Sequence, residues 1–275
     1  MRITVYLQLI LMCLFTNCAL AQLPNIEKVE VIEIKDSIVT SDYNCSFLLP
    51  KILNKDKDKE RKMSLAMAQS VYYTPLFGCC EDGLINITLE ELITKERKCV
   101  NERKENDGVY EVYSSYEMSF NKLGFVSWNF HVDAWHSNGV NSYRFPVCID
   151  TKKAELFSTA DIFNDSLKLQ LFSRIELEIF EYVMAEMNSE TNTYDMKEEI
   201  RQSVIEYNQA NFPLKKIPEG YLSTSNGVDG IAFYIETNFS NYYRDLEGYF
   251  YSFFIPLSDL KPYFKESFRK RIGLK

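Results

Sequence analysis

YLSTSNGVDGIAFYIETNFSNYYRDLEGYFYSFFIPLSDLKPYF, from Tyr221 to Phe264, is the stretch whose reading decides the fold. Ten of the 24 residues from Phe233 to Pro256 are Phe or Tyr, a density that needs a sheet to absorb it. Ile231, Phe233 and Ile235 share one face of an extended strand, and Tyr249, Tyr251 and Phe253 share one face of another, because strand side chains alternate. A turn at Ser225-Asn226-Gly227 precedes the pair, and the loop from Asn238 to Gly248 divides it. Most of these rings are therefore assigned to a core. Only the loop rings Phe239, Tyr242 and Tyr243, with Arg244 beside them, are placed to meet a partner.

Upstream, Leu167, Leu171, Ile175, Ile179, Val183 and Met187 recur every four residues, and Phe172 and Phe180 widen the stripe. That spacing predicts the longest helix of the chain, capped by Asp165. A shorter helix opens at Asp195 and Glu198 and must stop before Pro213. Before these lie three predicted strands, Tyr110 to Phe120, Gly124 to Trp135 and Ser142 to Ile149, with a turn at Asn121 to Gly124.

Nearer the N-terminus, the charge run from Lys55 to Lys62 leads into a helix through Tyr72. Thr88-Leu89-Glu90-Glu91 is a capping box: the threonine hydroxyl takes a first-turn amide while Glu91 reaches back. Leu89, Leu92, Ile93 and Val100 mark the apolar face of its helix. From Ile26 to Val39 the alternation changes phase, since Val29 and Val31 give way to Ile32 and Ile34. The two apolar pairs would face opposite ways unless a bulge intervenes.

Sequence-adjacent strands with helices between the groups point to the α+β class, with antiparallel sheets packed against a long helix and several shorter ones. The polar stretch from Glu105 to Gly108 divides residues 22–108, an N-terminal α+β module, from residues 109–275, a C-terminal α+β domain.

Met1-Arg2, the apolar run from Ile3 to Phe15, and Ala19-Leu20-Ala21 together read as a signal peptide cut after Ala21. Lipidation at Cys18 would want small residues before it, where Phe15-Thr16-Asn17 stands. No later segment is apolar over the roughly 20 residues that span a bilayer. Export to a periplasmic, envelope or secreted location is the expectation. A net charge of −8 argues against nucleic acid and against docking on anionic membrane through a basic face.

Cleavage leaves Cys45, Cys79, Cys80, Cys99 and Cys148 of the seven cysteines. In an oxidising space the first four are disulfide candidates, and a bridge from Cys79 or Cys80 to Cys99 would staple a turn to its helix. Cys148, in a strand-like run, reads as a buried thiol. Without a Cys-x-x-Cys pair or a nearby histidine, neither a metal nor a cofactor is expected.

Chemistry has one candidate, Asn129-x-His131-x-Asp133-x-x-His136, which holds both histidines. On a strand, Asn129, His131 and Asp133 share one face, and Trp128, Phe130, Val132 and Ala134 take the core face. His136 has the wrong parity to join them without a bulge. The pattern reads as a polar strand face followed by a loop histidine. No Gly-x-Ser-x-Gly elbow or glycine-rich phosphate loop accompanies it.

Three stretches carry a family likeness. Trp135-His136-Ser137-Asn138-Gly139 stands at a Gly-Ala-His-Gly position. Phe145 to Phe163, FPVCIDTKKAELFSTADIF, matches a strand, a turn of the form Asp-x-x-x-Gly-Lys and the start of a long helix. Phe233 to Phe264 matches the aromatic ending. By these the chain resembles an exported bacterial domain of unknown function. That domain is shared by the extracytoplasmic part of RsiV-type anti-sigma factors and the non-catalytic part of PdaC-type peptidoglycan deacetylases. The likeness runs from about Tyr110 to Phe264. It implies a recognition module that meets an envelope protein or cell-wall ligand through loops near His136, Asn138 and Asn238 to Gly248. The competing expectation is a hydrolase of envelope polymers using His131, Asp133 or His136.

Overall fold

The computed structural model describes residues 28–40, 43–72, 75–77, 86–102, 110–136, 139–188, 217–236 and 250–274. Its first strands are β1 (Glu30–Val39) and β2 (Tyr43–Leu53), followed by helices α1 (Lys57–Tyr72) and α2 (Leu89–Glu102). Next come β3 (Tyr110–Lys122), β4 (Phe125–His136), β5 (Gly139–Asp150) and the two-residue β6 (Glu155–Leu156). The long helix α3 (Lys168–Asn188) precedes β7 (Gly220–Ser225), β8 (Val228–Glu236) and β9 (Phe250–Pro256), and short helices α4 (Leu257–Leu260) and α5 (Glu266–Arg271) follow. Strands β1 to β6 form one sheet in sequence order, and β7 to β9 form a second.

The class is α+β, as the sequence predicts. Among the described strands, pairing is antiparallel except between β2 and β3, which run parallel from Tyr43↔Tyr110 to Ser46↔Tyr113. A parallel pair needs a long crossover, and α1 and α2 occupy it. The strands on either side of the polar stretch near Gly108 thus lie in one sheet.

The phase change in β1 is real, yet it involves no bulge. The β1–β2 register runs unbroken from Glu30↔Leu53 to Val39↔Asn44. Instead both strands change face together. Val31 and Ile52 are paired and pack inward, as do Ile34 with Leu49 and Ile38 with Cys45, while Ile32 is 42% exposed. Pro50 sits in β2 after β3 has diverged, so its missing N–H breaks no ladder bond. There Ser114 Oγ stands in for a partner strand, accepting from Leu48 N (2.9 Å) and donating to Leu48 O (3.3 Å).

A bulge does occur in β3, between Met118 and Phe120. Before it, even residues of β3 face even residues of β4; after it Phe120 faces Ser127. That shift moves Phe120 from one side of the sheet to the other, and two cores flank β4 accordingly. Val126, Trp128, Phe130, Val132 and Ala134 pack in the core with α1 and α2. Phe125, with Phe120 and Cys148, packs in the core with α3, the second sheet and the C-terminal helices.

The capping box forms as read: Glu91 N donates to Thr88 Oγ1 (3.3 Å) and Thr88 N to Glu91 Oε2 (2.7 Å). At α3 the cap differs. Asn164, not Asp165, accepts from Ser166 N (3.1 Å), and a 3-10 turn over Asp165–Leu167 precedes the helix. Leu171, Phe172 and Ile175 bury the first part of the expected stripe, whereas Leu169 is 80% exposed; the side chains of Ile179, Phe180, Val183 and Met187 lie outside what is described.

The aromatic C-terminal segment supplies the second core. Phe233 stacks on Phe253 (5.5 Å) and on Phe163 (6.3 Å), and Phe163 in turn stacks on Phe264 (5.2 Å). Ile-Pro-Leu-Ser-Asp-Leu leaves β9 so that Lys265 N reaches Ile162 O and Asn164 N reaches Tyr263 O, both at 2.8 Å. The chain end is thereby laced to the start of α3. Gly230 has no side chain because Phe254 covers it: a Cβ there would stand 2.2 Å from that ring.

Candidate functional site

The polar face of β4 is built by parity. Asn129, His131, Asp133 and Trp135 alternate with the buried residues Trp128, Phe130, Val132 and Ala134. Register extends this face into both neighbours. Glu117, Ser115, Tyr113 and Glu111 of β3 stand opposite Asn129, His131, Asp133 and Trp135. Pro146, Arg144, Ser142 and Val140 of β5 stand opposite the same four.

One end of the face is closed. β7 packs across β3, β4 and β5, and the Tyr221 hydroxyl meets the Asn129 side chain. Burial raises the Tyr221 pKa, with the Asn129 contact opposing it. Nearby, burial and the Glu219 carboxylate push the Tyr234 hydroxyl well above its ordinary range, and that hydroxyl donates to Glu219 Oε2.

The other end is open. Trp135 is 49% exposed, Val140 42% and Tyr113 40%. Two polar chains hold the surface between them. Asn44 Nδ2 donates to the Tyr113 hydroxyl (3.3 Å), which donates to Glu111 Oε2 (3.1 Å) and titrates higher because of it. Ser142 Oγ donates to Asp133 Oδ1 (2.6 Å). His131 Nε2 lies 3.1 Å from the same oxygen, without the alignment of a hydrogen bond.

That order of groups matters for chemistry. Nucleophilic catalysis needs the imidazole between hydroxyl and carboxylate, so that it can take the hydroxyl proton. Here the carboxylate occupies the centre, and the serine proton points at Asp133. The arrangement orders side chains but does not activate an oxygen nucleophile.

His136 is the last residue of β4, paired with Gly139, and the β4–β5 register shows no bulge between it and Asp133. The five-residue offset from His131 stays odd, so the backbone does not bring the two histidines into step. Asn138, Phe239, Tyr242, Tyr243 and Arg244 lie outside the described residues, as do Cys79, Cys80, Cys18 and Ala21. Cys45 is buried in the first core, and Cys99 packs against it from α2. Cys148 is buried, and burial pushes its thiol up to about 12. Among the described residues no group of three His, Cys, Asp or Glu side chains is placed to hold a metal ion. No described helix is long and apolar enough to cross a membrane.

Sequence reasoning missed Trp135, Tyr113 and Val140 as one surface. Extending the odd parity of Asn129 by six residues reaches Trp135, and the β4–β5 register sets Val140 opposite it.

Solved structures identify the architecture. It is the fold of DUF3298 proteins. A member of that family from Bacteroides fragilis NCTC 9343 superimposes with a TM-score of 0.54 at 11% identity, over 91% of this chain and 100% of that one. A DUF3298 family protein from Pseudomonas aeruginosa PAO1 gives 0.54 at 9% identity, over 87% and 96%. At these identities the similarity concerns the fold. Neither a protein-family model nor a curated protein matches this sequence.

In the turn after β5, Ala154 holds the left-handed conformation with φ 58°, which glycine would adopt at least cost.

Proposed function

We propose that this chain is an exported, non-enzymatic, envelope-associated binding protein that recognises a protein or cell-wall ligand. The observation that carries the reading is the open end of the β3–β4–β5 face, where exposed Trp135, Tyr113 and Val140 adjoin ordered polar groups. Aromatic residues of this kind dominate binding energy where they sit among near-neutral polar contacts. Side chains already held by hydrogen bonds lose little freedom on binding, which favours recognition. The β4–β5 turn, with His136 and Asn138, borders this surface in sequence, and the loop carrying Phe239, Tyr242, Tyr243 and Arg244 is assigned to the same role. Cleavage after Ala21 and a likeness in role to RsiV- and PdaC-type modules belong to the same reading.

Its test is capture from envelope extract and from purified peptidoglycan, with wild type and Trp135→Ala side by side. A saturable ligand that the variant retains poorly supports it. No saturable ligand in either preparation overturns it. The hydrolase reading predicts instead an activity lost when His131 and His136 are both replaced by Ala. The central position of the Asp133 carboxylate speaks against that.

A further inference from the structure

The open end of the β3–β4–β5 face continues across β2 and β1. Val39, Asn44, Glu111, Trp135 and Val140 stand in one row over five strands. Ser37, Ser46, Tyr113, Asp133 and Ser142 form the row beside it. With strands about 4.8 Å apart, each row runs roughly 19 Å. None of these residues is buried, whereas Ile38, Cys45, Val112, Val132 and Ala134 between them pack in the first core.

The charge of this surface has one sign. Its two rows carry the carboxylates of Glu111 and Asp133 and no lysine or arginine. The groups that hold these acids are neutral hydroxyls, from Tyr113 to Glu111 and from Ser142 to Asp133. His131, beside Asp133, is charged only when protonated. Among the described residues no lysine or arginine pairs with either acid. The bases one row further in are already engaged, Lys35 with Glu33 at 3.4 Å and Arg144 in an interaction of its own.

Trp135 stands directly across from Glu111 and two residues along β4 from Asp133, so both acids border the half-exposed indole. An aromatic face attracts a cation, and carboxylates beside it strengthen the attraction. A guanidinium suits this place better than an ammonium, because its plane stacks on the ring while its edge meets a carboxylate. An acidic wall polymer would be repelled, and a neutral one would gain nothing from the two charges.

Building on the binding role argued above, we propose that this surface takes a basic segment of a partner protein, seating an arginine side chain on Trp135 against Glu111 and Asp133. The chain's overall charge of −8 draws such a partner in, and the two rows fix where it docks.

The test uses the full chain. Trp128 is 0% exposed, so collisional quenchers report on Trp135. The ratio of caesium to iodide quenching should fall by about twofold or more in the double variant Glu111→Gln/Asp133→Asn. It should hold in Asp58→Asn/Glu102→Gln, which removes equal charge from exposed positions on α1 and α2. A labelled arginine–glycine repeat peptide should bind, and lose affinity about tenfold in Trp135→Ala, in Glu111→Gln/Asp133→Asn and with added salt. A glutamine–glycine repeat should not bind. Equal quenching ratios in wild type and Glu111→Gln/Asp133→Asn overturn the proposal. So does a loss of peptide affinity as large in Asp58→Asn/Glu102→Gln, which would mean attraction to net charge alone. An envelope ligand that Trp135→Ala loses and Glu111→Gln/Asp133→Asn keeps would overturn the basic partner and leave the binding role standing. The absence of any saturable ligand would overturn the role itself.

Discussion

Arg271 and Asp150, 121 residues apart, form a two-pronged ion pair that ties the last helix to the end of β5. Arg271 Nη2 reaches Asp150 Oδ1 at 2.6 Å and also donates to Gly124 O at 3.1 Å. Its guanidinium lies 3.9 Å from the centre of the Phe125 ring. Asp150 accepts in addition from Lys152 N and Lys153 N, so both carboxylate oxygens are satisfied although the side chain is 6% exposed. The basic run Arg269-Lys270-Arg271 is thus partly turned inward, and Lys270 pairs with Glu266.

Replacing Arg271 by Met should cost about 3–5 kcal/mol at pH 7, because a buried carboxylate is left without its counter-ion. Urea denaturation measures it. A loss below about 1 kcal/mol would mean that the ion pair contributes little.

Acid should weaken the same contact. Burial opposes ionisation of Asp150, yet its hydrogen bonds to Arg271 hold the carboxyl below its ordinary value. A depressed folded-state pKa contributes stability above the unfolded value of about 3.9 and loses it as pH falls through the folded value. Wild type should therefore lose stability below about pH 4, and Arg271→Met should show a shallower acid limb. Parallel acid limbs in the two proteins would refute the assignment.

Gly227 reads out backbone conformation alone. It has φ 78° in the β7–β8 turn, and a Cβ there would meet nothing within 4 Å. Gly227→Ala should cost about 1–2 kcal/mol from the left-handed conformation, measurable by thermal or chemical melting. The preceding Asn226, at φ 50°, completes the Asn-Gly turn that the sequence announces.

Cys148 should be invisible to thiol reagents in the native state. Its thiol is buried and titrates at about 12, so thiolate is scarce near neutral pH. Mass-mapped alkylation should modify it only at the rate of unfolding. Rapid labelling in buffer would show that the second core opens locally.

Trp135→Ala should change stability by no more than about 0.5 kcal/mol, since the ring is half exposed and lies outside both cores. Any loss of ligand capture by that variant is then a surface effect. A large drop in melting temperature would instead place the ring in the structural framework.

Local signals were legible in the sequence where one interaction decides them. The Thr88–Glu91 box, the Asn226-Gly227 turn and the core face of β4 are of this kind. Signals that need a second strand were not. The phase change in β1 becomes intelligible only beside the matching change at Leu49 to Ile52 in β2. The bulge at Met118/Phe120 is set by the opposing register of β4. The N-cap at Asn164 escaped because Asp165 offers the same side-chain chemistry one position later. The polar face of β4 was legible, but the Trp135–Tyr113–Val140 surface requires three strands in register at once.

β4 belongs to both cores, its even residues to one and Phe125 to the other. Neither half of the molecule can melt while leaving that strand in place for its neighbour. Thermal unfolding should therefore be a single event, with calorimetric and van't Hoff enthalpies in agreement. The polar stretch near Gly108 would then mark a seam in the sequence that heat does not open.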